Sequence, residues 1–140
     1  MLFRSRERDE LTALLPATRL LTLTGQGGVG KTRLALELAR DAVPEYPDGV
    51  HVVELAAEPS GGAIGLRVAA AFSVRPADDE PVLDTLAVHL RRSRALLVLD
   101  NCEHVVENCA KLAVDLLSRC AGLRILATSR EPLEIGRAHV

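Results

Sequence analysis

The chain has 140 residues, near the usual size of one domain, and its 48% hydrophobic and 26% charged residues exclude a disordered chain. Its longest apolar runs, residues 68–72 and 95–99, are too short to span a bilayer. With 17 Lys and Arg against 19 Asp and Glu, the net charge of −2 offers no electrostatic footprint for nucleic acid.

The start, Met1-Leu-Phe-Arg-Ser-Arg-Glu-Arg-Asp-Glu, lacks the apolar core of a signal peptide, so a cytoplasmic location is expected. In that compartment Cys102, Cys109 and Cys120 are expected to be reduced thiols. Residues 6–15 read as a short charged helix ended by Pro16. The β-branched and leucine-rich run 19–24 reads as a buried strand that stops at a glycine cluster. Good helix formers fill 31–42, with Pro44 and Pro47 closing that helix, and 50–55 is a second strand. A Pro-Ser-Gly-Gly loop leads into a helix at about 63–72, where Ile64, Val68, Ala71 and Phe72 share one face.

After a polar break between Pro76 and Pro81, Leu83, Leu86, Ala87 and Leu90 recur at helical spacing, with Arg91, Arg92 and Arg94 at the C-terminal end. The continuous apolar run 95–99 is the pattern of a strand covered on both faces. A helix follows over 103–119, with Val105, Cys109, Leu112, Ala113 and Leu116 on one side and Gly122 at its C′ position. Residues 123–128 form a fourth strand. Strand and helix alternate throughout, which predicts an α/β domain with a parallel sheet between helices, joined by right-handed crossovers.

Gly25-Gln26-Gly27-Gly28-Val29-Gly30-Lys31-Thr32 fits G-x-x-x-x-G-K-[ST], and it lies between a predicted strand and a predicted helix. Glycines there let backbone N–H groups approach phosphate oxygens without a Cβ in the way, and the helix N-terminus adds its dipole to the same anion site. Lys31 is placed to reach the β- and γ-phosphates, and the Thr32 hydroxyl to ligate Mg2+. Asp100, at the end of the apolar strand, emerges at the carboxyl edge of a parallel sheet and is read as the second Mg2+ partner, with Asn101 as the cap of the next helix. The group that orients an attacking water is open: Glu103 is the nearest carboxylate, and it equally suits a first-turn acid facing a helix dipole. Arg130, after the fourth strand, reaches the γ-phosphate only if that strand lies beside the first; otherwise it is a surface arginine. Cys102, His104 and Cys109 lack zinc-site spacing, and Cys109 fits the apolar face of its helix.

Three segments carry a family resemblance: 20–35, which extends the glycine motif through Lys31, Thr32 and Arg33; Leu-Leu-Val-Leu-Asp-Asn-Cys-Glu-His at 96–104; and Leu-Arg-Ile-Leu-Ala-Thr-Ser-Arg-Glu-Pro-Leu at 123–133. In this order they resemble the STAND class of P-loop signal-transduction ATPases, related to NB-ARC domains, and in particular the ATPase modules of bacterial LuxR-like and SARP-type transcriptional regulators. The resemblance implies a P-loop NTPase three-layer sandwich with strand order 5-1-4-3-2, which puts Arg130 beside the phosphate loop in a sensor role. It implies ATP and Mg2+, with an ADP-bound off state and an ATP-bound on state, and it adds Arg33 to the nucleotide-binding set. The stretch Phe3-Arg-Ser-Arg-Glu-Arg8 is similar to the family's N-terminal F-V-G-R-E-R motif near the adenine, although Arg4 and Ser5 replace its valine and glycine. Asn101 stands where many relatives keep a second aspartate, which implies slow hydrolysis.

By the same resemblance, residues 1–134 are the N-terminal part of an ATPase domain, incomplete and with its fifth strand missing. The winged helix, sensor repeats and DNA-binding domain of the parent regulator lie outside the chain, so no direct nucleic-acid contact and no membrane contact are expected. Residues 135–140 resemble a translated sequencing adapter and are expected to be a non-native tail. The function expected is an ATP-binding, slowly hydrolysing switch module of a bacterial transcriptional regulator. The alternatives are a nucleotide-dependent interaction module without turnover and an AAA-like or DNA-handling ATPase. No N-K-x-D motif favours a GTPase.

Overall fold

The computed structural model describes residues 2–25, 29–57, 61–130, 133 and 138–139. The elements in chain order are α1 (Leu2–Ala17), β1 (Leu20–Thr24), α2 (Val29–Ala42), β2 (Val50–Glu54), α3 (Ile64–Ala71), α4 (Val82–Leu90), β3 (Leu96–Asp100), α5 (Val106–Arg119), β4 (Arg124–Ser129) and β5 (Ala138–His139). All strand pairs are parallel, in the spatial order β2-β3-β4-β1-β5, the order that the resemblance implies.

Successive side chains of a strand point to opposite faces, and here both faces are covered. Leu96 and Val98 of β3, with Leu21 and Leu23 of β1, pack against Leu11 and Leu15 of α1 and Leu34, Ala35 and Leu38 of α2. Leu97 and Leu99, with Ile125 and Ala127 of β4, pack on the other side against Val68, Leu86, Leu90, Leu112 and Leu116 of α3, α4 and α5. The result is a three-layer α/β sandwich, and it explains why β3 is apolar from Leu96 to Leu99 rather than alternating. Cys102, Cys109 and Cys120 are buried free thiols in the core on the α5 side of the sheet. No helix among the described residues is long and apolar enough to cross a membrane.

Arg19 fastens the start of β1 to the end of α5. Its guanidinium donates to the carbonyls of Leu117 at 2.7 Å, Cys120 at 2.5 Å and Leu123 at 3.3 Å, so orphan carbonyls of the helix end are met by a cation, as its dipole favours.

Several boundaries depart from the sequence reading. α1 starts at Leu2 rather than 6 and closes at Ala17, one residue past Pro16, because nothing in 2–5 breaks a helix. The side chains of Phe3–Arg8, expected near the adenine, lie outside the described ones. α2 begins at Val29, two residues earlier than expected, so Lys31 and Thr32 sit inside its first turn. The helix expected over 103–119 is divided: a 3-10 turn at Cys102–His104 precedes α5. A two-residue strand that the sequence did not predict, Ala138–His139, pairs with Leu21 and Thr22 and covers part of the β1 edge. The rest of the expected tail, residues 135–137 and 140, lies outside the described residues.

Gly122 is needed for a different reason from the one its position suggested. α5 ends on an extended Cys120, with φ −124° and ψ 94°, and Gly122 is not in the left-handed region. Instead the chain passes so close to the loop before β3 that a Cβ on Gly122 would lie 2.4 Å from the Ser93 carbonyl oxygen. A backbone atom cannot step aside, so Gly122→Ala is expected to destabilise the fold by about 1–3 kcal/mol in urea titrations. Gly65→Ala meets only the Val82 side chain, at 2.7 Å, which can turn away. That variant is expected to stay within about 1 kcal/mol of the parent, helped by the better helix propensity of alanine. Equal midpoints for Gly122→Ala and the parent chain would contradict the close approach.

Candidate functional site

The parallel sheet brings four strand ends to one edge. Thr24 of β1 is in register with Ser129 of β4, and Glu54 of β2 with Asp100 of β3. Gly25, Glu54, Asp100 and Arg130 therefore leave the sheet on the same side, the side where ligands bind in open α/β folds. Gly25 has φ +141°, a conformation that residues with a Cβ rarely adopt, and it opens the glycine-rich turn. Gln26, Gly27 and Gly28, which were expected to line a phosphate cradle, lie outside the described residues. Val29 and Gly30 open α2, whose N-terminus carries the positive end of the helix dipole. Lys31 Nζ donates to the carbonyl oxygens of Gly25 and, at 3.3 Å, Ser129. Its ammonium is thus held across the ends of β1 and β4, beside the exit of Arg130. Arg33 is exposed on α2, and Arg130 is exposed just past β4.

The centre of the site is the Asp100 carboxylate, whose residue is only 3% exposed. Its Oδ1 accepts the Thr32 hydroxyl at 3.1 Å and the Thr128 hydroxyl at 2.5 Å. The two residues expected to hold Mg2+, Thr32 and Asp100, are therefore in direct contact. Hydroxyl and carboxylate oxygens are the hard donors that Mg2+ prefers, so the residues present fit that ion. Thr128 also accepts the backbone N–H of Asn101 at 2.8 Å, which ties β4 to the residue after β3.

Asn101 is not the cap that its type suggested. It adopts the left-handed conformation, φ 62° and ψ 59°, and makes no side-chain capping bond. Its amide Nδ2 donates instead to Glu54 Oε1 at 3.1 Å and Oε2 at 3.0 Å, with a longer approach to Asp100 Oδ2 at 3.4 Å. Glu54 Oε1 also accepts the Ala56 backbone N–H at 2.6 Å. Burial pushes the Asp100 carboxyl above the ordinary range, and the hydrogen bond and charge of Glu54 add to that, against the two threonine hydroxyls. For Glu54 burial also acts upward. It is outweighed by the Ala56 N–H, the Asn101 amide, a hydrogen bond from Asp100 and the Arg67 guanidinium, which hold Glu54 below the usual carboxylate range. The two carboxyls are thus shifted in opposite directions, Asp100 up and Glu54 down.

Of the predicted residues, Lys31, Thr32, Asp100 and Arg130 are brought to one edge. Glu103 lies in the 3-10 turn after β3, half-buried, with its Oε1 buried and lacking a hydrogen-bond partner among the described residues. Glu54 and Thr128 were not singled out as site residues. Glu54 had one usable signal: once strand 2 is placed beside strand 3, their last residues are neighbours.

A sequence profile described as an AAA domain matches residues 17–134. A Mycobacterium tuberculosis (strain H37Rv) protein named for HTH-type transcriptional regulators is 44% identical over 123 residues, covering 88% of this chain and 14% of that protein. A second protein of the same strain, uncharacterized by name, is 35% identical over 130 residues, covering 93% of this chain and 33% of that protein. The chain spans a third or less of the length of these relatives. Among solved structures, Cdc6p from Pyrobaculum aerophilum is similar with a TM-score of 0.70 at 19% identity, over 91% of this chain and 39% of that one. A STAND protein with a tetratricopeptide repeat sensor from Pyrococcus horikoshii has a TM-score of 0.58 at 16% identity, over 95% and 22%. At such identities the likeness is one of fold.

The raised Asp100 carboxyl has a consequence for stability. The folded chain binds that proton more tightly than the unfolded chain, so stability falls as pH rises through the interval above the ordinary Asp value. Asn at this position keeps an acceptor for Thr32 and Thr128 without the buried charge. Asp100→Asn is expected to stabilise the ligand-free chain at pH 7 by about 1 kcal/mol, within the range common for single stabilising substitutions. The difference should vanish in acid below the ordinary Asp range, where both residues are neutral. Thermal midpoints across pH check this; a variant no more stable than the parent at pH 7 would contradict it.

Proposed function

The chain belongs to the AAA domain family, and from that membership we propose that it is an ATP-binding and slowly hydrolysing switch module of a bacterial transcriptional regulator. The observation that carries this reading is the 3.1 Å contact between Thr32, the last residue of the glycine-lysine motif, and Asp100 at the end of a buried strand. The contact joins two hard oxygen ligands 68 residues apart in sequence, at a sheet edge beside a helix N-terminus.

In this reading the backbone N–H groups of 25–30 and the α2 N-terminus bind the phosphates of ATP. Lys31 moves from the Gly25 and Ser129 carbonyls to the β- and γ-phosphates. Thr32 and Asp100 hold Mg2+, which when bound neutralises phosphate charge. Arg130, at the exit of β4 beside Gly25, senses the γ-phosphate. Val29 and Arg33 complete the nucleotide-binding set, and ADP and ATP mark the off and on states of a STAND-type switch.

The regulator context is supported by the 44%-identical relative named for HTH-type transcriptional regulators. The winged-helix, sensor-repeat and DNA-binding domains of the parent protein are the proposed partners, in the cytoplasm, with no nucleic-acid contact by this segment. Slow turnover is supported by Asn101, an amide in the position after the strand aspartate.

Replacing Lys31 removes a charge-assisted contact to phosphate worth about 1.5–3 kcal/mol, so Lys31→Ala is expected to weaken ATP binding at least about tenfold in calorimetric titrations. Undiminished affinity in a folded Lys31→Ala variant would rule out the phosphate-loop assignment.

A further inference from the structure

Hydrolysis of ATP needs a group that orients water and accepts its proton, and an amide such as Asn101 cannot accept it. Asp100 is poorly placed to do so, because it is only 3% exposed and out of reach of bulk water. Glu103, in the turn after β3, is half-buried, with its Oε1 buried. Among the described residues, the carboxylate at this edge that is exposed is Glu54, at the end of β2 and in register with Asp100.

Glu54 is held as a reactive group must be. The Ala56 N–H fixes Oε1 at 2.6 Å, Arg67 donates to the Glu54 backbone carbonyl at 2.5 Å, and Asn101 Nδ2 lies 3.0–3.1 Å from the two carboxylate oxygens. Asn101 reaches that place because its left-handed backbone turns the chain sharply at the end of β3. The same side chain approaches Asp100 Oδ2, so one amide links the carboxylate in contact with Thr32 to the carboxylate exposed to water.

We propose that Glu54 is the catalytic carboxylate of ATP hydrolysis and that Asn101 is its positioning residue. The inference rests on the ATP-binding reading above. A water oxygen attacks the γ-phosphorus, the bond from phosphorus to the bridging oxygen breaks, and its electron pair leaves on ADP. The proton released by the water passes to Glu54 and from there to solvent. Asn101, which hydrogen-bonds Glu54 and approaches Asp100, ties proton acceptance to the occupancy of the phosphate site.

The test measures ATP turnover and, separately, ATP affinity in the 140-residue chain. Glu54→Gln is expected to lower kcat about a hundredfold, the usual contribution of a positioned base, with ATP affinity within about threefold of the parent. Glu54→Ala should regain part of its rate with added formate, which restores a carboxylate but not a structural bond. Asn101→Ala should lower kcat about fivefold with ATP affinity within about threefold of the parent, since its main contacts are to Glu54. If Glu54→Gln fails to fold, Glu54→Asp decides: it keeps the charge one methylene short, and an unchanged kcat overturns the proposal. The proposal is also overturned by parental kcat in Glu54→Gln, by a Glu103→Gln variant that loses turnover while Glu54→Gln keeps it, or by a parent chain that binds ATP without hydrolysing it. That last result leaves the nucleotide-binding reading standing, whereas a parent chain that does not bind ATP removes both.

Discussion

A carboxylate at the end of a fully buried strand is expensive unless polar groups meet it, and here Thr32 and Thr128 both donate to one oxygen of Asp100. Those two hydroxyls come from α2 and β4, elements that the sheet order brings to either side of the aspartate's strand end. The site therefore exists only when β4 lies between β1 and β3. In that arrangement the helix after β1 starts at the same edge and its first turn carries Lys31 and Thr32. Burial also raises the carboxyl's pKa, so the folded chain loses stability as pH rises above the ordinary Asp range.

The layers on either side of the sheet hold this edge in place. β3 has no solvent-facing side, because Leu96 and Val98 meet α1 and α2 while Leu97 and Leu99 meet α3, α4 and α5. A strand anchored on both faces presents its last residue at a fixed height relative to its neighbours, and Glu54 and Asp100 share a register for that reason. Arg19 contributes at the opposite edge by closing the carbonyl end of α5 onto the start of β1. Rigid supports far from the chemistry are what keep a small constellation of side chains within reacting distance.

Much of this was legible in the sequence, for local reasons. The five-residue run 95–99 can only be a two-sided strand in an alternating α/β pattern, and the glycine-lysine-threonine motif between strand and helix names its own chemistry. What escaped depends on pairing or on backbone conformation. Glu54 looks like any polar strand end until β2 is placed beside β3. Asn101 has the composition of a cap, yet its left-handed backbone turns its amide to a neighbouring strand. Gly122 sits where a helix-ending glycine belongs, but it is required by the Ser93 carbonyl, a contact with the loop before β3. The short β5 pairs through residues whose composition carries no strand signal.

The central claim is that Thr32 and Asp100 form one Mg2+-dependent phosphate site. Calorimetric titration of the chain with ATP, in the presence of Mg2+ and again with the ion chelated, tests it most directly. One-to-one binding that weakens at least about tenfold on chelation is the predicted result, as expected for a hard-donor site shared between protein oxygens and substrate phosphates. Binding of equal strength with and without Mg2+, or no binding under either condition, would contradict it.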